Sequence, residues 1–352
     1  VLGSHNSIDV DGNINIKESN VTLKDFTLEG LTVDLPISIS YPLSTRIIRK
    51  QDVPDSQYGT VRVKKITQGP LEIADLQLRP IIIANNFFIK DLLKIPLFGG
   101  ALEIKDVSVE NITTPDRKIK LAFQLQDINL EEITATYNLT PIAGTLNSSP
   151  LPFEQKRDRL YSQGEMKIDV FGGDIIISNL GFNNLLTPLM GIEFSAKINS
   201  LNLGKMSDTY RKWGGITGIV NGEIKDFRLV AGEPSGFDIG LKTDKVADIK
   251  QTVSAKFLKK FVPGIGTALE TVGLTNYRYS VMGLHAVLKN DYITLSGAVR
   301  EKGKDLFMKG AGLKKLEIVF HDANKKIPYK KFVDSFMGIL SSDFEDTQLQ
   351  FK

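Results

Sequence analysis

The chain has 352 residues, 44 basic and 41 acidic side chains, 41% hydrophobic residues and no cysteine. Such a chain can bury a large core, and the missing cysteines exclude disulfides, thiol catalysis and thiolate metal sites. The basic residues are scattered among carboxylates, which argues against a nucleic-acid partner. Because the chain opens on Val1 and not on methionine, we expect a piece of a longer protein.

Residues 8–39 carry apolar side chains at nearly every second position. This period of two predicts strands with one face in water, and similar stretches recur as far as residue 320. Successive side chains on a strand point to opposite faces, so most Ile, Leu, Val and Phe would share one side of a sheet. We expect residues 1–245 to form this repeating β-sheet groove. Its predicted apolar lining is Ile14, Ile16, Leu23, Leu102, Ile104, Val107, Val109, Ile175, Ile177, Ile192, Phe194, Ile198 and Ile239.

One internal repeat is visible, because residues 97–106 align without gaps with residues 170–179 at an offset of 73 residues. Each copy reads as an apolar-Phe-Gly-Gly turn followed by an alternating strand, and it closes with Asp106 or Asn179 at a corner. The alternative is a pair of unrelated hairpins. A repeated sheet unit is favoured, and it predicts equivalent environments for Phe98 and Phe171.

Residues 246–275 are predicted to form a helical hairpin, because apolar residues recur at helical spacing with four lysines between them. Such a hairpin could cap an open end of the sheet or lie on an anionic membrane, and capping is favoured. The side chains that would serve either role are Phe257, Leu258, Phe261 and Leu269. Strands should continue over residues 276–322, before an amphipathic helix and a tail over residues 323–352. Residues 44–59 and 141–164 are predicted to be loops.

No convergent set of catalytic or metal-binding side chains is evident in the sequence. His5, His285 and His321 lie far apart, and none has a second metal ligand at helical or hairpin spacing. Glu131 and Glu132 are adjacent and would face opposite ways on a strand, so they do not make an acid/base pair. We therefore predict that the protein is not an enzyme and has no cofactor or metal.

The segment from Trp213 to Leu229, followed by residues 237–241, resembles the C-terminal region of AsmA-like proteins of the TamB-YdbH type. Similar patterns follow in order at residues 251–256, 277–280, 287–291, 310–320 and 330–332. The resemblance covers residues 165–340 and consists of ordered patterns without a sharp signature.

The resemblance implies an elongated, curved antiparallel β-sheet, taco-like, with an apolar concave face. It also implies a protein of the Gram-negative periplasm that moves phospholipid between the inner and outer membranes. Such a protein would be anchored to the inner membrane by a segment not in this chain, with phospholipid acyl chains, the membrane surface and other envelope proteins as partners. The residue pattern independently fits an open apolar face, because the predicted helices are too few to cover so much one-sided apolar surface.

Two other functions stay open. The chain could be a structural or scaffolding β-protein, closed as a sandwich or barrel, that binds protein partners. It could also be a carbohydrate-active enzyme on a β-solenoid, although no convergent polar set supports this.

Overall fold

The computed structural model of this protein describes residues 8–23, 26–41, 48–114, 117–156, 159–184, 187, 189–210, 214–261, 275–312, 316–319 and 325–334. These residues are mainly β, and their strands form an open, mostly antiparallel sheet, as the alternating pattern predicts. The sheet does not close on itself. The chain divides into two compact units, Val1–Leu139 with Thr145–Met166 and Gly181–Asn183, and Thr140–Gly144 with Lys167–Leu180 and Asn184–Lys352.

In its described residues, the first unit holds a long hairpin, shorter paired strands and one α-helix. In the hairpin, Ile14 lies opposite Leu35 and Ile16 lies opposite Val33. The strands are β1 (Ile8–Leu23), β2 (Phe26–Tyr41), β3 (Thr60–Gln68), β4 (Leu71–Leu78), β5 (Pro80–Ile83), β6 (Asn86–Ile89), β7 (Leu93–Leu97), β8 (Gly100–Glu110), β9 (Lys118–Gln126), β10 (Ile128–Asn129), β11 (Gly144–Ser148), β12 (Leu151–Lys156) and β13 (Arg159–Ser162), with helix α1 (Leu130–Thr136) after β10. Two 3₁₀ turns, Lys50–Asp52 and Asp55–Gln57, precede β3.

Strands β14 (Met166–Val170) and β15 (Gly173–Asn183) contribute residues to both units, as does β11 through Gly144. The second unit continues with β16 (Gly191–Asn202), α2 (Leu203–Thr209), β17 (Ile216–Thr217), β18 (Ile219–Val230), β19 (Glu233–Asp244), β20 (Thr252–Ser254), α3 (Ala255–Phe261), β21 (Asn276–Lys289), β22 (Tyr292–Gly297), β23 (Val299–Glu301), β24 (Lys304–Gly310), β25 (Glu317–Val319) and β26 (Ile327–Pro328). Residues 329–334 are helical. No helix in the described part of the chain is long and apolar enough to cross a membrane.

Two β-bulges keep the apolar side chains of long strands on one face. In β8 one extra residue is inserted between Lys105 and Ser108, where Asp106 adopts a φ of 57°. In β18 the extra residue lies beside Asp226, whose φ is 48°. Aspartate and asparagine tolerate this left-handed conformation better than most residues. The extra residue of a bulge shifts the alternation by one, so apolar side chains on either side of it point to the same face of the sheet. The predicted corners at Asp106 and Asn179 are therefore wrong, since both residues lie inside strands.

The two copies of the Phe-Gly-Gly repeat have the same local structure. Phe98 and Phe171 both adopt a positive φ, 48° and 50°. The backbone N–H of Asn129 donates to the Phe98 carbonyl at 2.8 Å, and that of Asn202 donates to the Phe171 carbonyl at 3.0 Å. The same two asparagines cap α1 and α2 through their side-chain oxygens. The expected equivalence of Phe98 and Phe171 is thus confirmed, and the repeat extends beyond it from β7 to α1 and from β14 to α2.

The glycine after each turn is required by a close approach of the backbone. A Cβ on Gly100 would overlap the carbonyl oxygen of Gln126, and one on Gly173 would overlap the carbonyl oxygen of Asn199. Because these obstacles are backbone atoms, they cannot move aside without disturbing the pairing of the strands.

A dry core lies in the second unit, where α2 and α3 pack on the strands. Its buried members are Leu203, Ile216, Val253, Leu258, Tyr277, Tyr279, Met282, Met308 and Ile318. The Tyr279 hydroxyl donates to the Thr217 carbonyl at 2.7 Å, and burial raises the pKa of this phenol above its usual range. A smaller core in the first unit contains Val53, Tyr58, Ile81 and Phe88.

Three local predictions are wrong. Residues 246–254 are not helical, because Val253 lies in β20 and is fully buried opposite Ile216 and Tyr277. Residues 141–164 are not a loop, since they contain β11, β12 and β13. Glu131 and Glu132 lie in the first turn of α1 and not on a strand. Of the predicted hairpin over residues 246–275, only α3 is seen, and residues 262–274 lie outside the described part, as do residues 335–352 of the predicted C-terminal helix.

Candidate apolar binding face

The second unit carries a continuous apolar strip on one face of five strands. Strands β16, β18, β19, β21 and β22 pair in that order, each antiparallel to the next. Residues directly opposite each other in such pairs project from the same face. Two rows cross all five strands, Ala196–Ile224–Ile239–Ala286–Leu295 and Ile198–Gly222–Leu241–Leu284–Gly297. We call these rows, with the phenylalanines described next, the apolar strip.

Three phenylalanines extend the apolar strip beside these rows. The rings of Phe194 and Phe227 stack with centroids 4.7 Å apart, and those of Phe227 and Phe237 lie 6.2 Å apart and nearly parallel at 9°. All three rings are half-buried. Stacked rings of this kind form a rigid apolar platform at low cost in side-chain entropy.

The apolar strip is only half covered, which separates it from a core. Ile224, Ile239, Leu241, Leu284 and Leu295 are all half-buried, whereas the small Ala196 and Ala286 and the larger Ile198 are buried. By contrast, the side chains of the dry core, such as Val253 and Leu258, have no exposed surface. The strip is therefore apolar surface that the described part of the chain leaves partly open to a ligand.

The opposite face of the same strands is hydrated and charged. Lys225 pairs with Glu223 at 2.6 Å, and His285 Nε2 lies 2.7 Å from an oxygen of Asp238. These four side chains are between 42% and 56% exposed. Lys225 hydrogen-bonds Glu223, which raises the pKa of the lysine. The sheet thus has one wet face and one apolar face, as the alternation predicts.

The structure brings four predicted lining residues of the second unit onto this one face. Ile192 lies opposite Leu229, Phe194 opposite Phe227, Ile198 opposite Gly222 and Ile239 opposite both Ile224 and Ala286. The sequence analysis missed Phe227, Phe237 and Leu241 as lining residues. The bulge at Asp226 breaks the alternation of β18, and a search that allowed one inserted residue would have recovered Phe227.

Ile175 and Ile177 lie in β15 and are half-buried. They are two residues apart on one strand and so share a face. They occupy the repeat positions that correspond to Leu102 and Ile104 in β8, at the offset of 73 residues.

In the first unit, the four predicted residues of β8 share one face. Leu102 lies opposite Leu125, Ile104 opposite Phe123 and Val109 opposite Ile119, and the bulge returns Val107 to the same side. All four are half-buried. Phe123 stacks on Phe153 at 4.9 Å, so this unit also has an aromatic pair next to the lining residues.

The predicted residues of β1 are more exposed. Ile14 is 44% exposed and Leu23 is 69% exposed, whereas Ile16 is half-buried. Ile14, Ile16 and Leu23 lie opposite Leu35, Val33 and Phe26 of β2, respectively. The hairpin therefore presents an apolar face with little protein over it.

Helix α3 packs on the strands rather than standing in solvent, as far as its side chains are described. Leu258 is fully buried in the dry core, and Phe257 is half-buried against the same core. Lys256 and Lys259 are exposed on the other side of the helix. The position of Leu258 supports the capping role over the membrane role. The side chain of Phe261, and Leu269 altogether, lie outside the described residues.

The apolar strip lacks charged side chains in its rows. None of the positions in its two five-strand rows is charged. Across the described ranges, no group of three or more His, Cys, Asp or Glu side chains is placed to hold a metal ion. The arrangement suits binding through apolar contact.

Comparison with known proteins gives no relative. No protein-family model, curated protein or solved structure matches this chain. The AsmA-like resemblance therefore stays a prediction from the sequence patterns.

Proposed function

We propose that this protein binds the acyl chains of phospholipids along the apolar face of its sheet and carries out no reaction on them. The observation that carries the proposal is the half-buried apolar strip, which crosses five strands without a charged side chain in its rows. Long flexible hydrocarbon is the ligand that matches a long uncharged surface, because the binding energy comes from apolar area and needs no directed polar contact.

The energy available to such binding is large. Each methylene removed from water gains about 0.8 kcal/mol, so an acyl chain needs to bury only part of its length for useful affinity. The rows lack charged anchors, so a bound chain would be held without a fixed register. A ligand held in this way can move along the surface, which suits transfer as well as storage.

The AsmA-like resemblance extends the proposal to a cellular role. In that role the protein would lie in the periplasm of a Gram-negative bacterium, anchored to the inner membrane by a segment outside this chain. It would move phospholipid between the inner and outer membranes. The hydrated opposite face is consistent with an aqueous compartment such as the periplasm.

The test is lipid mass spectrometry on purified protein after incubation with phospholipid vesicles. Wild-type protein should carry phospholipid, and Ile239→Asp should lose most of it, because a carboxylate in the middle of the apolar strip must be desolvated when a chain covers it. Lys242→Asp is the matched control, since it places the same carboxylate on an exposed position of the same strand. The control should bind lipid as the wild type does.

Circular dichroism and a melting curve accompany the lipid analysis. Ile239→Asp should keep its β-content, because the position is half-buried and faces a surface open to water when empty. Wild-type protein free of lipid after incubation would refute the proposal. Unfolding of Ile239→Asp, as a core lesion would cause, would show that this face is a closed dry interior and not a binding surface.

A further inference from the structure

Strand β1 lies at an edge of the sheet in the first unit. Its 16 residues pair with β2, and the described residues include no second strand paired with it. The backbone N–H and C=O groups that point away from β2 therefore have no strand partner in the described part of the chain. The register with β2 is regular from Ile8 to Ile16, and the first irregularity comes between Ile16 and Ser19. We call residues 8–16 the edge segment.

The edge segment lacks the devices that most often stop an edge strand from pairing with another chain. Lysine, proline and bulges are common among these devices. None of the three occurs between residues 8 and 16, where the only charged residues are two aspartates. By contrast, β7 pairs with β8 alone in the described part and carries Lys94 and Pro96 within its five residues. The edge segment is long and regular enough to accept a further strand.

The apolar side chains of the edge segment have little protein over them. Ile8 is 64% exposed, Val10 60% and Ile14 44%. Because they lie an even number of residues apart on one regular strand, they share a face of the hairpin. Side chains branched at Cβ pack well against each other across neighbouring strands. A strand placed beside β1 would therefore cover part of this apolar surface.

The apolar positions of the edge segment match the same segment read in the opposite direction. When two copies pair antiparallel about Gly12, each residue before Gly12 lies opposite a residue after it in the other copy. Ile8 then meets Ile16, and Val10 meets Ile14. Both pairs occur twice, once on each side of the two-fold axis. Every side chain branched at Cβ thus meets another of its kind.

The polar positions match in the same register. Asp11 of one copy lies opposite Asn13 of the other, and both side chains are exposed. The amide of Asn13 donates one N–H to Asp34 of its own chain at 2.7 Å. A primary amide has two N–H groups, so the second can donate to the carboxylate of the other copy.

The neighbouring registers are worse. An axis one residue earlier would set Asp11 opposite Asp11 of the other copy, and like charges directly opposite each other are destabilising. An axis one residue later would set Ile8 opposite Glu18, which is already paired with Lys64. The charges and the apolar pairs therefore both favour an axis at Gly12.

We infer that the edge segments of two copies of this chain pair antiparallel about Gly12 and join two first-unit sheets into one. The partner is a second copy because the segment matches its own reverse at both its apolar and its polar positions. The inference does not rest on the proposed function, since strand pairing needs no lipid. Residues directly opposite each other share a face, so the apolar faces of the two hairpins become continuous across the axis.

The first test is the mass of the lipid-free chain, measured by light scattering over a dilution series. Wild-type protein should have twice the mass of one chain and dissociate on dilution. Gly12→Lys and Gly12→Glu should each weaken dimerisation at least about tenfold, because each sets two like charges opposite each other in the dimer alone. An equal mixture of the two variants should dimerise again, since lysine then faces glutamate.

Both variants should fold, because a Cβ on Gly12 meets nothing within 4 Å. Circular dichroism melts check this. Gly240→Lys is the matched control, since a Cβ on Gly240 in β19 also meets nothing within 4 Å. It adds the same charge away from the edge segment and should dimerise as the wild type does.

The second test uses single cysteines, which the chain allows because it has none of its own. Gly12→Cys should form a disulfide-linked dimer under mild oxidation, because directly opposite residues lie about 4.5–5.5 Å apart between Cα atoms, within disulfide range. Asn15→Cys should not form one, since its two copies would lie roughly 20 Å apart along the paired strands.

Wild-type protein that is monomeric at every concentration would overturn the inference, and the edge segment would then fit a strand of another protein. A dimer that persists in both charged variants would overturn it as well. So would an equal mixture that stays monomeric, or a disulfide in Asn15→Cys without one in Gly12→Cys, because the axis would not lie at Gly12. Lipid binding by such a monomer would leave the proposed function standing.

Discussion

Leu258 shows how the position of one side chain separates two roles of a helix. The sequence of α3 sets lysines beside apolar residues, a composition that suits a cap on a sheet and a helix on a membrane surface equally well. In the structure Leu258 has no exposed surface and contacts a core of strand and helix residues. A helix lying on a membrane would present this side chain to lipid. The buried leucine therefore makes α3 part of the packing of the second unit.

Leu258→Ala should lower the free energy of unfolding by about 2–5 kcal/mol, because a fully buried leucine leaves a cavity when it is truncated. Lys256→Ala on the exposed side of the same helix should change it by less than about 0.5 kcal/mol. Denaturant unfolding followed by circular dichroism measures both. Equal stability of the two variants would mean that α3 does not pack on the core.

At the scale of elements, the repeat was recognisable from ten residues, but its extent was not. The Phe-Gly-Gly turn is a strong local signal, because its glycines and left-handed residues leave few alternatives. Helices α1 and α2 were missed because seven residues are too few to show a helical period. Their asparagine caps, Asn129 and Asn202, lie at the same offset as the turns and could have identified them.

Gly100→Ala and Gly173→Ala should each destabilise the protein by about 1–3 kcal/mol, because the new methyl group overlaps a backbone carbonyl in each copy of the repeat. Gly240→Ala is the matched control in β19, since a Cβ there meets nothing within 4 Å. It should be neutral or stabilise slightly, by less than about 1 kcal/mol. Thermal melts of the three variants measure these changes in stability. Wild-type stability of Gly173→Ala alone would mean that the two copies are not structurally equivalent.

Across the whole molecule, the distribution of apolar surface is the feature that bears on function. The described residues contain dry cores, but they also leave exposed or half-buried apolar faces on both units. Ile8, Val10 and Leu23 of β1 are each at least 60% exposed. A folded protein that keeps so much apolar surface accessible should bind apolar molecules that a protein with a closed core does not bind.

The native protein should bind the dye ANS and enhance its fluorescence, because the dye partitions onto accessible apolar surface. A long-chain phospholipid should displace the dye, and Ile239→Asp should reduce the signal. Near-UV circular dichroism and a cooperative melt serve as the control, since they distinguish a native surface from a loosely packed state. A well-packed native protein without dye binding would argue against an accessible apolar face.

The sequence by itself determined the strand-dominated class, the one-sided placement of apolar side chains and the repeated turn. These follow from local rules, because a period of two fixes which side chains share a face and glycine fixes where a turn is allowed. It also named lining residues such as Ile198 and Ile239, which the structure places on one face.

Only the tertiary structure decided which strands are neighbours, and therefore which apolar residues form one surface. Phe227 joins Phe194 because a bulge at Asp226 shifts the register, and register depends on the pairing partner. Strand pairing also decided the structure of residues 246–254. Their apolar spacing is helical, but Val253 lies in a strand because it is buried there between Ile216 and Tyr277. A local propensity of a few tenths of a kcal/mol per residue is smaller than the roughly 1.5–3 kcal/mol gained by burying one such side chain.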